Sequence, residues 1–486
     1  MANSGGLLSN LAWKFGERVS SQLVTLVVSI VLARILMPSD YGAIAMVTVF
    51  ITLAQVLVEG GFSGALIQKK NADSLDFSTV LFFVLGFSVI LYIVLYFAAP
   101  YISSFYGKGY EILTPVFRVL GIQVIIFGVN SVQQAYVSRK MMFRKFFYAT
   151  LSGTVCSAAV GLSMAYLGYG VWSLVGQQLT MNIVNTVTLF LVTRKLPVLS
   201  FSWTRLKGLL DYGIKLFASN VLIAIYQELR ALIIGKLYTA SDLAFYDKGR
   251  SFPNLVVSNI NSSIGAVLFP KISQQQDDLV SVKQTTRNSI RFSSFLMSPL
   301  MLGLAAIAEP FIRVLLTEKW GPCVPLLQIF CIVYLFQPIH TANMQAIKAI
   351  GRSDVYLWLE IIKKVLELVV LLLVMKMGVR AIVISMAVLT TLFTFVNAWP
   401  NTRLIHYSFG EQMKDILPSI GIALGMAGIV FLIGFLPMNE WLLLLTQIFS
   451  GAFFYILLSK AFRIREYEMT KDIIISYFQK LKHRSI

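Results

Sequence analysis

Five ionisable residues stand inside two long apolar runs of this chain: Glu228 and Arg230 in one, Asp247, Lys248 and Arg250 in the next. An uncompensated charge in hydrocarbon costs on the order of several kcal/mol, so such residues pair, line a wet path or bind a charged solute. An arginine fork suits phosphate oxygens, because its planar donors match them two at a time. A rise of about 1.5 Å per residue from the turn at 236–242 puts both groups in the outer third of a membrane. Two arrangements follow. In one, Arg230, Lys248 and Arg250 form a cationic wall for an anionic head group, with Glu228 and Asp247 as acidic or ion-coupling partners. In the other, Glu228 pairs with Arg250 and Asp247 with Arg230 as scaffold. The group sums to only +1, so a single phosphate contact is the modest form of the first.

Further cations gather toward the opposite ends of the runs. Lys14 and Arg18 approach the first, with Glu17 between them, Glu59 closes the second, and Lys215 opens the seventh. They are candidates to receive a diphosphate, or are ordinary anchors whose long stems reach the interface. Arg118 and Arg313 read as anchors of that kind. Glu360, Lys363, Lys364 and Glu367 share one helix face at i, i+3, i+4 and i+7, which suits either an ion relay or a self-paired stripe. Tyr106, Tyr166 and Tyr169 suit stacking on sugars or an interfacial aromatic belt.

These residues need elements to carry them, and composition says what kind. The 486 residues are 57% hydrophobic and 13% charged, against about 25% charged in soluble domains. That excludes one soluble core and implies an all-α polytopic membrane protein. Cys156, Cys323 and Cys331 lie in apolar runs and imply no disulfide framework. Three histidines without a His/Cys cluster imply no metal site or cofactor, and the net charge of +18 has no soluble basic domain through which to bind nucleic acid. The opening residues lack a continuous apolar core and a small-residue cleavage site, so no signal peptide is expected.

Runs of about 20 apolar residues cross a membrane. Fourteen transmembrane helices are expected: 19–37, 41–67, 77–99, 113–137, 147–167, 170–193, 212–237, 243–268, 290–317, 324–349, 356–377, 379–400, 416–436 and 441–462. The eighth is polar and contains Pro253. With the N-terminus in the cytoplasm, 27 of the 41 Lys and Arg residues fall in cytoplasmic segments and 6 outside, so both termini are expected inside.

The chain also repeats. "LARILMPSDYGAIA" (32–45) answers "IGKLYTASDLAFYD" (234–247) at an offset of 202, and "AAPYISSF" (98–105) answers "AEPFIRVL" (308–315) at 210. "PVFRVL" (115–120) answers "PLLQIF" (325–330) at 210 too, so an insertion lies in 270–289. Residues 1–200 and 201–410 are therefore expected to be pseudo-symmetric six-helix lobes entering the membrane in the same sense. Residues 411–462 add helices 13 and 14, and 463–486 an amphipathic tail on the inner surface. The expected turn at Pro38-Ser39-Asp40 has Pro38 stopping one helix, with Ser39 or Asp40 capping the next.

"ARILMPSDYGAIAM", "YGVWSLVGQQL" and "LFPKIS" resemble the Wzx-type polysaccharide exporters, of the colanic-acid type. That family belongs to the multidrug/oligosaccharidyl-lipid/polysaccharide transporter superfamily, with the drug-efflux MATE proteins and the lipid II flippase. The resemblance implies two six-helix lobes around a central cavity. It also implies flipping of oligosaccharide linked through diphosphate to undecaprenol, from the cytoplasmic to the outer leaflet of the inner membrane, for surface polysaccharide synthesis. Implied partners are the lipid-linked oligosaccharide, membrane lipids and polysaccharide polymerase machinery, with H+ or Na+ as candidate coupling ions.

Two other functions compete. An ion-coupled small-molecule exporter of the same fold usually carries a membrane-embedded carboxylate in the first lobe, whereas helix 1 has none between Val19 and Met37 and helix 2 offers only Glu59. A membrane polymerase or ligase usually needs a large outer loop, whereas the longest here, 100–112, has only Lys108 and Glu111 charged.

Overall fold

The computed structural model describes residues 4–193, 200–469 and 471, with the backbone alone for 4–12, 15, 210–213, 215, 216 and 266. The distal part of the expected tail helix, 472–486, lies outside the described residues. Every element is helical: eighteen α-helices and one 3-10 turn, with no strand among the described residues. Hydrocarbon imposes this choice, because a helix satisfies its own backbone groups without water. Two compact units emerge, Met1–Ala244 and Phe245–Ile486.

The first unit holds α1 (Ser4–Ile35), α2 (Pro38–Glu59), α3 (Phe62–Gln68), α4 (Ser74–Tyr106), α5 (Leu113–Leu120), α6 (Ile122–Arg139), α7 (Phe143–Tyr166), α8 (Val171–Thr193) and α9 (Trp203–Leu237). α10 (Ala240–Gln274) begins at its end and runs into the second unit. There follow α11 (Leu279–Ala306), α12 (Ala308–Leu316), α13 (Cys323–Leu335), α14 (Gln337–Ala349), α15 (Ser353–Val374), α16 (Val379–Leu404), α17 (Phe409–Ile433) and α18 (Glu440–Ala461). Several expected spans are broken. Gly60 and Gly61, at φ 50° and 74°, separate α2 from α3, a left-handed pair that glycine adopts without strain. The repeat is visible in helix boundaries. α5–α6 begin at 113 and end at 139, and α13–α14 begin at 323 and end at 349, preserving the 210 offset.

Twelve helical stretches among the described residues are long and apolar enough to cross a membrane. α8 and α15 form where spans six and eleven were expected but fall short of that apolarity. α8 carries Gln177, Gln178, Asn182 and Asn185, and α15 its four charges. α10 forms as one helix through Pro253, as the repeat demanded.

The turn at 36–40 differs from expectation in detail. α1 has already ended at Ile35, and Pro38 is the first helical residue of α2, where its missing N–H costs nothing. Met37 holds the cap position, and the Asp40 carboxylate reaches back to its N–H at 2.9 Å. The repeat mate is a fuller capping box. Thr239 Oγ1 accepts from Asp242 N at 3.2 Å, and Asp242 Oδ2 accepts from Thr239 N at 3.1 Å.

Apolar side chains fill both the interior and the perimeter. Leu32, Ala33, Met46 and Val80 are fully buried. Phe97, Leu373 and Phe449 are among many large apolar side chains left exposed, as expected of a surface solvated by lipid.

Candidate functional site

α9 carries Glu228 and Arg230, and the first unit holds it at both ends. At one end Ser202 caps it, and the Ser202 N–H donates to Thr79 Oγ1 at 3.2 Å. Arg205 then reaches two carboxylates of the α4 capping box, Asp73 at 2.8 Å and Asp76 at 3.2 Å. Asp76 is fully buried and also takes Lys69 at 2.7 Å, so two cations surround one buried acid. The Asp76 N–H, with the Arg205 guanidinium, holds the Asp73 carboxyl below its ordinary range. Beside this, Arg139 donates to the carbonyls of Leu66, Ile67, Lys69 and Lys70, closing the end of α3.

The other end has a different chemistry. Gly42 faces the backbone of Ala240 so closely that a Cβ there would stand 1.8 Å from the Ala240 oxygen. Gly235 lies likewise against the Tyr106 ring, 2.9 Å from where its Cβ would be. Lys236 donates to the Phe105 carbonyl and sits 4.6 Å from that ring's centre. The Ala240 N–H donates to the Tyr110 hydroxyl at 3.2 Å.

Between these ends α9 is open: Leu222, Ile223 and Ile225 are exposed, as is Gln227. Half-buried Glu228 and Arg230 follow, and the Arg230 guanidinium donates to Tyr226 Oη at 3.3 Å over the same ring. On α10, Lys248 sits 5.8 Å from the buried Trp320 ring, with Cys323 and Asp247 as electrostatic neighbours. Arg250 donates to Tyr246, with Tyr334 and Asp247 close by. Aromatic residues therefore accompany all three cations, Arg230 and Lys248 through a ring and Arg250 through a hydroxyl, contacts the charge pattern alone did not foretell.

The remaining candidates scatter. Lys14 lies 5.4 Å from the Phe143 ring, Arg18 is half-buried, and Glu17 is hydrogen-bonded to Thr150. Glu59 accepts from Gln55 at 2.8 Å, one residue before the Gly60 break. The side chain of Lys215 lies outside the described residues. Arg118 stacks on Tyr96 at 4.4 Å, whereas Arg313 is no simple anchor, since it bonds Glu309 at 3.1 Å and Glu440 at 3.2 Å. The α15 stripe pairs with itself, Lys363 to Glu360 at 2.5 Å and Lys364 to Glu367 at 3.7 Å. Tyr106 is buried and donates to the Met46 carbonyl at 3.0 Å. It is therefore neither belt nor sugar platform, while Tyr166 and Tyr169 are exposed.

Sequence reasoning missed the Asp73/Asp76/Arg205 cluster and a parallel one in the second unit. There α11 presents Lys283, Arg287 and Arg291 one turn apart, and α17 answers with Glu411, 3.1 Å from Lys283, and Asp415, 2.7 Å from Arg287. Arg291 also pairs with Glu466. The "DSLD" of 73–76 was a readable capping signal, and the i, i+4, i+8 spacing on α11 a readable ladder. Among the described residues no group of His, Cys, Asp and Glu is placed to hold a metal ion.

An all-helical membrane chain with twelve stretches among the described residues apolar enough to span, and with embedded charges beside aromatics, has the architecture of the MATE and lipid-flippase transporters. The structure is similar to that of the lipid II flippase MurJ in an inward closed conformation. The TM-score is 0.74 at 15% identity, over 92% of this chain and 98% of that one. An inward-facing multidrug resistance MATE transporter follows at 0.62 and 17% identity, over 79% and 94%. The profile of the polysaccharide biosynthesis protein family matches residues 31–325, and the chain belongs to that family. Relatives include the succinoglycan biosynthesis transport protein ExoT of Rhizobium meliloti, 23% identical over 75% of this chain and 73% of its own length. The teichuronic acid biosynthesis protein TuaB of Bacillus subtilis is 22% identical over 87% and 88%. The lipopolysaccharide biosynthesis protein WzxC of Escherichia coli is 23% identical over 67% and 66%.

Proposed function

We propose that this chain is a non-enzymatic transporter that flips oligosaccharide repeat units, linked through diphosphate to a polyprenyl lipid, from the cytoplasmic to the outer leaflet of the inner membrane. The observation that carries this reading is membership of a polysaccharide biosynthesis family on a fold shared with a lipid flippase. The chemistry agrees. The polyprenyl tail can remain in lipid, so the protein must shelter only the diphosphate and the sugars. Arg230, Lys248 and Arg250 are the cations assigned to the diphosphate, with Glu228 and Asp247 moderating their charge. Lys14, Arg18 and Lys215 are assigned to its capture at the cytoplasmic side, and Glu59, beside the Gly60–Gly61 break, to ion coupling. The excess of Lys and Arg on one set of connections supports both termini in the cytoplasm.

A second reading, an ion-coupled exporter of small molecules, is favoured by the MATE likeness. Deleting the gene and following the lipid-linked repeat unit separates the two. Flipping predicts that the precursor accumulates facing the cytoplasm and that surface polysaccharide is lost, both restored by the wild-type gene. A deletion strain with normal polysaccharide and altered drug sensitivity would favour the exporter.

A further inference from the structure

The two units differ at one repeat-related place. In the second unit, α17 lies along α11 beside α14. Its Gln412 accepts from Asn343 Nδ2 at 2.8 Å, and its Asp415 takes Arg287. Counting back by the 210 offset, Asn343 answers to Gln133 on α6, and Arg291, beyond the insertion in 270–289, answers to Leu81 on α4. Among the described residues α9, to which α17 counts back by the same offset, packs on α2, α3 and α4, so the first unit leaves α17 without a counterpart over α6. Its place is a slot of about 350 Å³ between α4 and α8 over α6. Phe77, Leu81, Val132 and Phe190 give it apolar walls. The Gln133 amide oxygen, whose counterpart is satisfied by α17, is buried there without a hydrogen-bond partner. An orphaned buried acceptor carries a cost that a hydrogen-bond donor entering the slot would relieve.

The mouth of the slot is cationic. Lys140 is exposed at its rim beside Arg139. Among the described residues neither has a carboxylate partner, because Arg139 is spent on the α3 carbonyls. Lys145 adds a third positive charge, donating at 2.9 Å to the Val192 carbonyl next to the slot residue Thr193. The one acid at the rim, Asp73, is already held by Arg205. We propose that this slot is a binding site for an anionic phospholipid, which takes the place that α17 fills in the second unit. One acyl chain packs against Phe77, Leu81 and Val132, and the phosphate meets Lys140 and Lys145. A hydroxylated head group such as phosphoglycerol also carries the donor that Gln133 lacks. The site is separate from the residues assigned to flipping, and its test needs no transport.

Native mass spectrometry of the delipidated full-length protein, titrated with palmitoyl-oleoyl phosphatidylglycerol or phosphatidylcholine, reads it directly. The phosphatidylglycerol adduct should form at about tenfold lower lipid concentration. Lys140→Gln should cost about fivefold of that preference, the worth of one surface cation toward an anionic head group. Val132→Trp, which fills the slot, should abolish it. Lys140→Gln guards against misfolding, since the side chain is exposed and makes no contact that the fold needs. Equal binding of the two lipids, or a preference unmoved by both substitutions, would overturn the proposal. So would a dimer in the wild-type spectrum that Val132→Trp dissolves, which would make the occupant a second copy of the chain.

Discussion

The two ends of α9 are fastened by opposite means. At Arg205 the helix is held by ion pairs to Asp73 and Asp76, around a carboxylate with no exposure. At Ala240 the chain is held by backbone proximity, with Gly42 leaving no room for even a methyl group. Ion pairs act over several ångströms and respond to salt and pH, whereas a backbone seat is lost with any added atom. One helix thus carries Glu228 and Arg230 between a tunable clasp and a geometric one.

The largest effect is expected at the charged clasp. Asp76→Ala leaves Lys69 and Arg205 without their buried partner, and removing one side of a buried pair costs about 3–5 kcal/mol. The lower end applies because both cations are about a third exposed. A fall in thermal stability of the solubilised protein checks this, and an unchanged midpoint would mean that the clasp carries no stability. Next comes the backbone seat: Gly42→Ala should cost about 1–3 kcal/mol by overpacking, and loss of export with protein still present would place the damage in the transport cycle. Full export in that variant would show that the seat can move at no cost.

Smaller effects sharpen the same contrast. The Asp73 carboxyl is held below its ordinary range, so its share of stability is present at neutral pH and is lost only as pH falls through that lowered value. Stability followed from pH 7 downward should therefore hold the clasp's contribution until about pH 4, where an unfolded aspartate takes up its proton, and lose it below that until Asp73 itself protonates. Asp73→Asn should remove that acid limb. The smallest effect is expected at Arg313, whose pairs with Glu309 and Glu440 are solvent-exposed. Arg313→Ala should change stability by no more than about 1 kcal/mol.

Much of this was legible beforehand. The outer limits of the pairs α5–α6 and α13–α14 follow from apolar length and from the 210 offset, because lipid leaves the chain few alternatives to a helix, whereas the breaks at Gly121 and Phe336 inside those expected spans did not show. The self-pairing of α15 was readable from i, i+3 spacing. What stayed hidden were contacts between residues far apart in sequence. Nothing in "SDYGAIA" says that Gly42 meets the backbone of a residue 198 positions later. Nor does Tyr106 betray in a terminal "SSFY" that its hydroxyl turns inward to Met46. The spacing of Lys248 and Arg250 showed two cations on one helix, but not that Trp320 and Tyr246 would support them.

The central claim is that this chain moves a lipid-linked oligosaccharide, and vesicles test it most directly. Purified protein is reconstituted with a polyprenyl-diphosphate oligosaccharide distributed over both leaflets, and a membrane-impermeant glycosidase added outside counts the accessible sugar. Accessibility should rise from the outer half to nearly the whole pool with wild-type protein. With Arg230→Ala it should stay near half, and Arg230→Lys should recover only part, because a point charge cannot replace the guanidinium fork. Accessibility that remains at half with well-folded wild-type protein, under either a proton or a sodium gradient, would contradict the central claim.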